Sequence, residues 1–315
     1  MKSEISVSTM MNDMMFALAV LLILPTVRYG VRPLVMAGVT MLTCALCEIL
    51  FSLIQTKSIS IAESSSMVTA LTIVMLMPLN APMWLPSIAA AFAIIVVKGP
   101  FGGIGNTPFN SAAAGVAFVT LCFPKTIFAY FNPDVATSLP AFKDSVVTLA
   151  SSPAAILKNG LKPSIYPLNM LWGVVAGPLG TTAILIIAAC GLLLFLRRTA
   201  SWEITACFLV AAALVAAFYP RFPSDALTSI KYEFLSGSLL FCSVYMITDP
   251  VTSPNTRVGR CLYGALAGVL IMMLRRYGAF EQGACFAVLL ANAAAPLLDG
   301  LVSGSLRIGG ELNEE

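Results

Sequence analysis

Residues 67–82 read MVTALTIVMLMPLNAP, an apolar run without a charged residue that stops at Pro78 and Pro82. A helix that crosses a bilayer needs about 20 mostly apolar residues, so this run is short for a full span. A second run, GSLLFCSVYMITDPVTSP at 237–254, ends in a similar pair of prolines. Interrupted helices persist at membrane depth only where protein or ligand satisfies their free backbone groups. Both runs therefore predict broken helices inside a membrane bundle.

The composition of the whole chain supports a membrane protein. The 315 residues are 58% hydrophobic and only 10% charged, against about 25% charged residues in soluble domains. A net charge of +3 is too small and too scattered to indicate nucleic-acid binding. We expect an all-α integral membrane protein, in contact with the lipid bilayer, with about ten transmembrane helices near 11–29, 33–55, 67–82, 83–99, 110–131, 168–196, 202–219, 234–249, 258–276 and 279–300.

The two proline-ended runs align with each other at an offset of 172 residues, which matches Ser66 to Ser238 and both proline pairs. Residues 1–131 and 168–315 are therefore predicted to be two five-helix membrane halves, joined by a hydrophilic extramembrane loop at 132–167. Broken helices at corresponding positions of two pseudo-repeats indicate a central site.

Several kinds of chemistry are excluded or left open by residue type. The absence of histidine excludes histidine-ligated haem, zinc or copper within this chain. The eight cysteines lie in apolar runs, where thiols behave as small apolar groups; a redox role for Cys44 and Cys47 is the alternative. No nucleophile–base set or Walker loop is present, so we find no self-contained catalytic site and leave enzyme status open.

The run FGGIGNTPFN at 101–110 is the first candidate binding segment. Glycines such as Gly102 and Gly103 let a backbone approach a ligand closely. The amides of Asn106 and Asn110 can hydrogen-bond a heterocycle. A tight re-entrant turn without a ligand explains the same residues.

The run LWGVVAGPLGTTA at 171–183 contains Gly177, Gly180, Thr181 and Thr182. Gly173 and Gly177 form a G-x-x-x-G pattern, which lets helices pack closely, whereas a helix broken at Gly177 and Pro178 can aim backbone N–H groups at an anion such as phosphate.

Asp249 is an ionisable residue at the end of the second broken run, which makes it a functional candidate. A helix-end cap is the alternative role for its carboxylate. Glu48 and Glu281 also lie in or beside predicted spans, and pairing with an arginine would explain either one.

Three runs carry a resemblance to a known family: VVKGPFGGIGNTPFNSAAAG at 96–115, MITDPVTSPNTRVGR at 246–260 and GACFAVLLANAAAPLLD at 283–299. They resemble the family of the D subunit of Rnf electron transport complexes, which is related to the B subunit of the sodium-pumping Nqr complex. The resemblance covers nearly the whole chain. It implies a multi-pass protein of the bacterial inner membrane that works with other Rnf-type subunits, and loop charges favour both termini inside.

The resemblance also implies a flavin mononucleotide (FMN), attached by a separate flavin transferase through a threonine phosphoester. In the long loop, Thr137 in DVATSL at 134–139 best matches the family's attachment motif, although Asp134, Val135 and Ser138 depart from it. Thr181 and Thr182 are the fallback positions. A second, non-covalent flavin of riboflavin type is implied in the membrane part, and its expected lining is Gly102, Gly103, Asn106, Asn110, Asp249 and Thr252.

The expected function is a flavin-carrying subunit that relays electrons between ferredoxin and NAD in an ion-translocating complex. Glu48, Asp249 and Glu281 are the first residues to consider for ion coupling. Two alternatives stay open: a five-plus-five transporter or channel, because fold alone does not separate it from the electron carrier, and a structural subunit without covalent flavin.

Overall fold

The computed structural model describes residues 7–56, 64–101, 106–133, 140–141 and 148–311. Within these ranges the chain is mostly helical, and its only β-structure is one antiparallel bridge between Phe131 and Leu149. Thr137, Gly102 and Gly103 lie outside the described residues.

In its described ranges, the first half of the chain contains five main helices. They are α1 (Val7–Tyr29), α2 (Arg32–Thr56), α3 (Ser64–Met75), α4 (Trp84–Phe92, continued by a π-helical turn at Ala93–Lys98) and α5 (Ser111–Cys122). Two short helices, α6 (Pro124–Ile127) and α7 (Pro153–Lys158), follow in the middle of the chain.

The second half is divided more finely. It contains α8 (Pro167–Trp172), α9 (Ile184–Leu196), α10 (Trp202–Phe218), α11 (Ala226–Leu235), α12 (Leu239–Phe241, continued by a π-helical turn at Cys242–Met246), α13 (Arg257–Tyr277) and α14 (Ala284–Glu311).

Among the residues that the structure describes, four helices are long and apolar enough to cross a membrane: Ser8–Tyr29, Arg32–Ile54, Arg257–Tyr277 and Ala284–Val302. The remaining apolar helices among the described residues are shorter. The predicted span at 168–196 is interrupted, because turns at 173–183 separate α8 from α9.

Both proline-ended runs are broken helices, as the sequence predicts. Helix α3 stops at Met75, before Pro78, and the second helical run stops at Met246, before Pro250. Since proline has no N–H and clashes with the preceding turn, neither helix can continue through it. The carbonyl groups freed at these ends must find donors elsewhere in the protein.

The donors at the end of α3 come from two distant parts of the chain. The N–H groups of Leu179 and Gly180 donate to the carbonyl oxygens of Met77 and Met75 at 3.0 and 2.8 Å. The buried guanidinium of Arg32 donates from Nε to Leu79 O and from Nη2 to Ala81 O, both at 3.0 Å. Donors from the protein itself therefore satisfy the carbonyl groups that are left free where α3 ends.

Candidate functional site

A small polar cavity lies between α1, α3, the π-helical turn after α4, the start of α5 and the segment after α12. Its volume is about 60 Å³, and Thr69, Thr72, Lys98, Asn110 and Asp249 are among its polar lining residues. Such a space holds a few waters but is far smaller than the ligand pockets of about 300–1,000 Å³ that hold drug-sized molecules. The described lining therefore does not accommodate an isoalloxazine ring inside this cavity.

Lys98 supplies the positive charge of this cavity and is itself compensated. Its ammonium donates to Glu48 Oε1 at 3.0 Å and to Ser66 Oγ at 2.6 Å, and only 5% of its side chain is exposed. A buried cation is costly unless it is paired and hydrogen-bonded. The pairing of Glu48 with a cation agrees with the sequence analysis, although the partner is a lysine.

Asn110 caps a helix and joins the two halves. Its side-chain oxygen accepts the N–H of Ala113 at 3.0 Å, and its Nδ2 donates to Met246 O at 3.2 Å. Its own N–H donates to Asn292 Oδ1 at 3.0 Å, and Asn292 Nδ2 donates to the Tyr263 hydroxyl at 2.6 Å. Because both ends of the Asn110 amide are engaged within the protein, a contact with a flavin would have to replace one of these bonds.

The other candidates on this side occupy different environments. Asp249 lines the cavity, and its Oδ1 accepts the N–H of Val251 at 3.1 Å, which closes a turn between the end of the π-helical turn at Met246 and the start of α13. Thr252 is 5% exposed and is not part of the cavity lining. Asn106 is exposed in the turn before α5. The structure thus brings Asn110 and Asp249 together and leaves Asn106 at the surface.

The glycine-rich loop after α8 serves packing. A Cβ atom added to Gly180 would lie 2.5 Å from Met75 Cβ, and one added to Gly177 would lie 3.0 Å from the Thr182 methyl group. The N–H of Gly180 is already used on α3, so it is not free to bind phosphate. Thr181 is 3% exposed and buried, whereas Thr182 is half-buried beside a second cavity of about 20 Å³.

Hydrogen bonds fix the described residues on both sides of the segment that carries Thr137. Asn132 N donates to Thr148 O and Ala150 N donates to Tyr130 O, both at 3.0 Å, so residues 132 and 148 lie side by side. Arg32 Nη1 donates to Pro140 O at 3.0 Å. The same arginine that closes the break after α3 therefore also holds the residue that follows the DVATSL run.

Comparison with known proteins decides the family. The family model described as "NQR2, RnfD, RnfE family" matches residues 1–305. The chain belongs to this family. It is 30% identical over 275 residues to the D subunit of the ion-translocating oxidoreductase complex of Escherichia coli O6:K15:H31 (strain 536 / UPEC), covering 78% of each chain. The D subunits of the same name from Escherichia coli O81 (strain ED1a) and O127:H6 (strain E2348/69 / EPEC) are 29% and 30% identical, with the same coverage.

This member of the NQR2, RnfD, RnfE family has a second buried charge cluster that the sequence analysis missed. The two oxygens of Glu233 accept from Nε and Nη2 of Arg221, the latter at 2.7 Å, and Glu233 Oε2 also accepts Arg275 Nη1 at 3.2 Å. Arg275 is fully buried and donates to Glu233 O and Ser236 O at 3.1 and 2.8 Å. The signal in the sequence was a glutamate and two arginines flanking apolar spans, without any indication that they meet.

Proposed function

We propose that this chain is the D-type subunit of an ion-translocating oxidoreductase complex and that it relays electrons through an FMN on Thr137. Family membership over residues 1–305 carries this proposal, together with relatives named as the D subunit of such a complex. The other subunits of the complex are its partners. A flavin transferase would join the threonine hydroxyl oxygen to the phosphate of an activated flavin nucleotide, with loss of the hydroxyl proton and departure of the activating group from that phosphate. The phosphoester tethers the cofactor and leaves its ring free to accept and pass on electrons.

The base of the Thr137 segment supports this attachment site. The bridge at Phe131 and Leu149 and the bond from Arg32 to Pro140 fix both flanks of the segment. A tethered carrier needs a fixed base, because electron transfer depends on where the flavin can reach. By contrast, Thr181 is buried and would have to leave its environment before a transferase could modify it.

A non-covalent flavin of riboflavin type is part of the proposal at the turn before α5. The cavity beside Asn110 is too small for the ring. Phe101, which is 48% exposed, and Asn106, which is also exposed, flank residues 102–105. Phe101 offers an aromatic face and Asn106 an amide to a ring bound outside the cavity, and the expected lining residues Gly102 and Gly103 lie outside the described residues.

We further propose ten membrane-crossing segments in two five-helix repeats of a bacterial inner-membrane protein. The offset of 172 residues places α1 on α9, α2 on α10, α3 on α12 with its π-helical turn, α4 on α13 and α5 on α14. Helix α1 contacts α9, and α5 contacts α14. Contacts between a helix and its own counterpart are those expected around a pseudo-two-fold axis.

A transporter or channel without flavin is the second candidate. The water-sized polar cavity lined by Lys98 and Asp249 beside two broken helices favours it, because such helices often bind transported solutes. A structural role without covalent flavin is the third, since Asp134, Val135 and Ser138 depart from the attachment motif. Bound flavin separates these candidates from the first.

The test is in-gel flavin fluorescence. The chain is expressed with its partner subunits and flavin transferase, run on a denaturing gel and viewed under ultraviolet light beside Thr137→Ala and the control Thr148→Ala. We expect a fluorescent band at this chain's mass that disappears only in Thr137→Ala. Fluorescence that survives Thr137→Ala moves the attachment site, first to the half-buried Thr182. A dark band beside labelled partner flavoproteins refutes covalent FMN and favours the channel or structural role.

A further inference from the structure

An apolar groove of about 470 Å³ runs from the loop between α13 and α14 along the first turns of α14. Positions three and four residues apart share one face of a helix, so the residues of α14 that line it form one wall that leads away from the loop. The volume falls within the range of small-ligand pockets, about 300–1,000 Å³. The lining residues are Leu274, Gly278, Ala279, Phe280, Gly283, Phe286, Leu289 and Leu290.

Basic side chains gather at the loop end of this groove. Lys158 donates from Nζ to the carbonyl oxygen of Ala279, a residue of the groove lining. Arg276, which is exposed, donates from Nη1 to Tyr219 O at 2.9 Å and to Pro220 O at 3.1 Å. Arg221 follows Pro220 in the chain, and its positive charge also acts on Lys158.

The balance of charge at this end is positive. Four basic side chains and two carboxylates lie at this end, which leaves an excess of two positive charges. The basic residues are Lys158, Arg221, Arg275 and Arg276, and the acidic residues are Glu233 and Glu281. An anion is therefore favoured beside the mouth of the apolar groove.

We propose that this groove holds an acyl chain of an anionic phospholipid, with Lys158 and Arg276 at its headgroup phosphate. The guanidinium has five N–H donors, and in the described part of the chain the hydrogen bonds of Arg276 all come from Nη1. The remaining donors can bind phosphate oxygens in a forked geometry. Basic clusters at membrane helix ends bind acidic lipid headgroups in the same way.

The shape of the groove favours an acyl chain over a helix of another protein. A helix with side chains is about 10–12 Å across and buries its face over several turns, whereas this groove is lined by three residues of α14, spanning less than two turns. A helix would also have to supply negative charge at the basic end. One acyl chain with a phosphate headgroup satisfies both features.

The experiment uses the full chain in nanodiscs that contain equal amounts of phosphatidylglycerol and phosphatidylcholine. Lipids that stay bound after transfer to detergent are identified by native mass spectrometry. We expect retained phosphatidylglycerol on the wild type, and about fivefold weaker retention for each cation removed in Lys158→Gln and Arg276→Gln, since one surface cation is worth about 1 kcal/mol. The control Arg257→Gln, at the opposite end of α13, should retain lipid as the wild type does.

Two further variants separate lipid binding from loss of folding. Lys158→Arg with Arg276→Lys keeps both charges and should keep the preference for phosphatidylglycerol. Ala279→Leu fills the groove and should lower retention of phosphatidylglycerol with the charges intact. Equal retention of the two lipids, or no effect of Ala279→Leu, would overturn the proposal. Displacement of the lipid by inorganic phosphate alone would also overturn it, because the site would then bind free anions.

Discussion

Replacing Asn110 tests whether its amide holds the fold or a ligand. In Asn110→Ala, α5 loses the cap that accepts the N–H of Ala113, which costs about 1 kcal/mol. The variant also loses the bond from Nδ2 to Met246 O; interhelical hydrogen bonds in membranes are worth about 0.6 kcal/mol on average and up to about 1.7. The two effects together predict a loss of about 2 kcal/mol in the free energy of unfolding.

The measurement is reversible unfolding of the purified, flavin-free chain in mixed micelles with a rising fraction of denaturing detergent. Exposure of buried thiols such as Cys44 and Cys242 to a thiol-reactive dye reports unfolding. Asn110→Ser keeps a capping oxygen and loses only the donor to Met246, so it should lose about half as much stability. Asn106→Ala, in the exposed part of the same turn, is the matched control and should change little.

A purely ligand-binding role for Asn110 gives a different result. In that case Asn110→Ala and Asn106→Ala would unfold alike without flavin and would differ only when flavin is bound. A loss below about 0.5 kcal/mol for Asn110→Ala in the flavin-free chain would refute the structural role assigned to this amide.

Three further changes test other parts of the structure. Gly180→Ala places a methyl group 2.5 Å from Met75 Cβ and should cost about 1–3 kcal/mol by overpacking, whereas Gly38→Ala, with open space around it, should not destabilise in the same unfolding assay. Glu233→Gln leaves two buried arginines without a counter-charge and should cost about 3–5 kcal/mol; a near-neutral result would show that these arginines are solvated. Burial raises the pKa of Glu281, so the folded state resists its ionisation and stability is lost as the pH rises above about 4.3. Glu281→Gln should flatten the pH dependence of the unfolding midpoint, and parallel curves for the variant and the wild type would contradict this.

The ends of the broken helices could be predicted from the sequence because their cause is local. Pro78 and Pro250 each stop a helix within a few residues, wherever the rest of the chain lies. The groups that close the first break could not be predicted in the same way. Arg32 bonds to Leu79 and Ala81 across 47 and 49 residues, and no local pattern indicates that contact.

The roles of the candidate binding residues Asn110 and Gly180 could likewise be predicted only in part from the sequence. An asparagine directly before SAAAG can be interpreted as a helix cap, and Asn110 is one. Its second bond, to Met246, joins the two halves across 136 residues and depends on how the helices pack. For Gly180, the sequence allowed either close packing or anion binding, and only the position of Met75 decides between them.

Each half of the molecule places a buried cation beside the start of its broken helix. Lys98, at the end of the π-helical turn after α4, bonds to Ser66 near the start of α3, and Arg275, near the end of α13, bonds to Ser236 O just before α12. The offset of 172 residues places Lys98 at position 270 and not at 275, so the two cations do not align in sequence although they occupy equivalent places. The same physical cause applies to both cations. A helix that starts inside a bundle follows a turn whose polar groups lack helical partners. A long basic side chain can reach these groups when a glutamate balances its charge. Glu48 and Glu233 lie at positions that the offset does not match, and each cation pairs with its own carboxylate. A loss of Glu48 should therefore disturb the entry to α3 without affecting α12, and a loss of Glu233 should do the reverse.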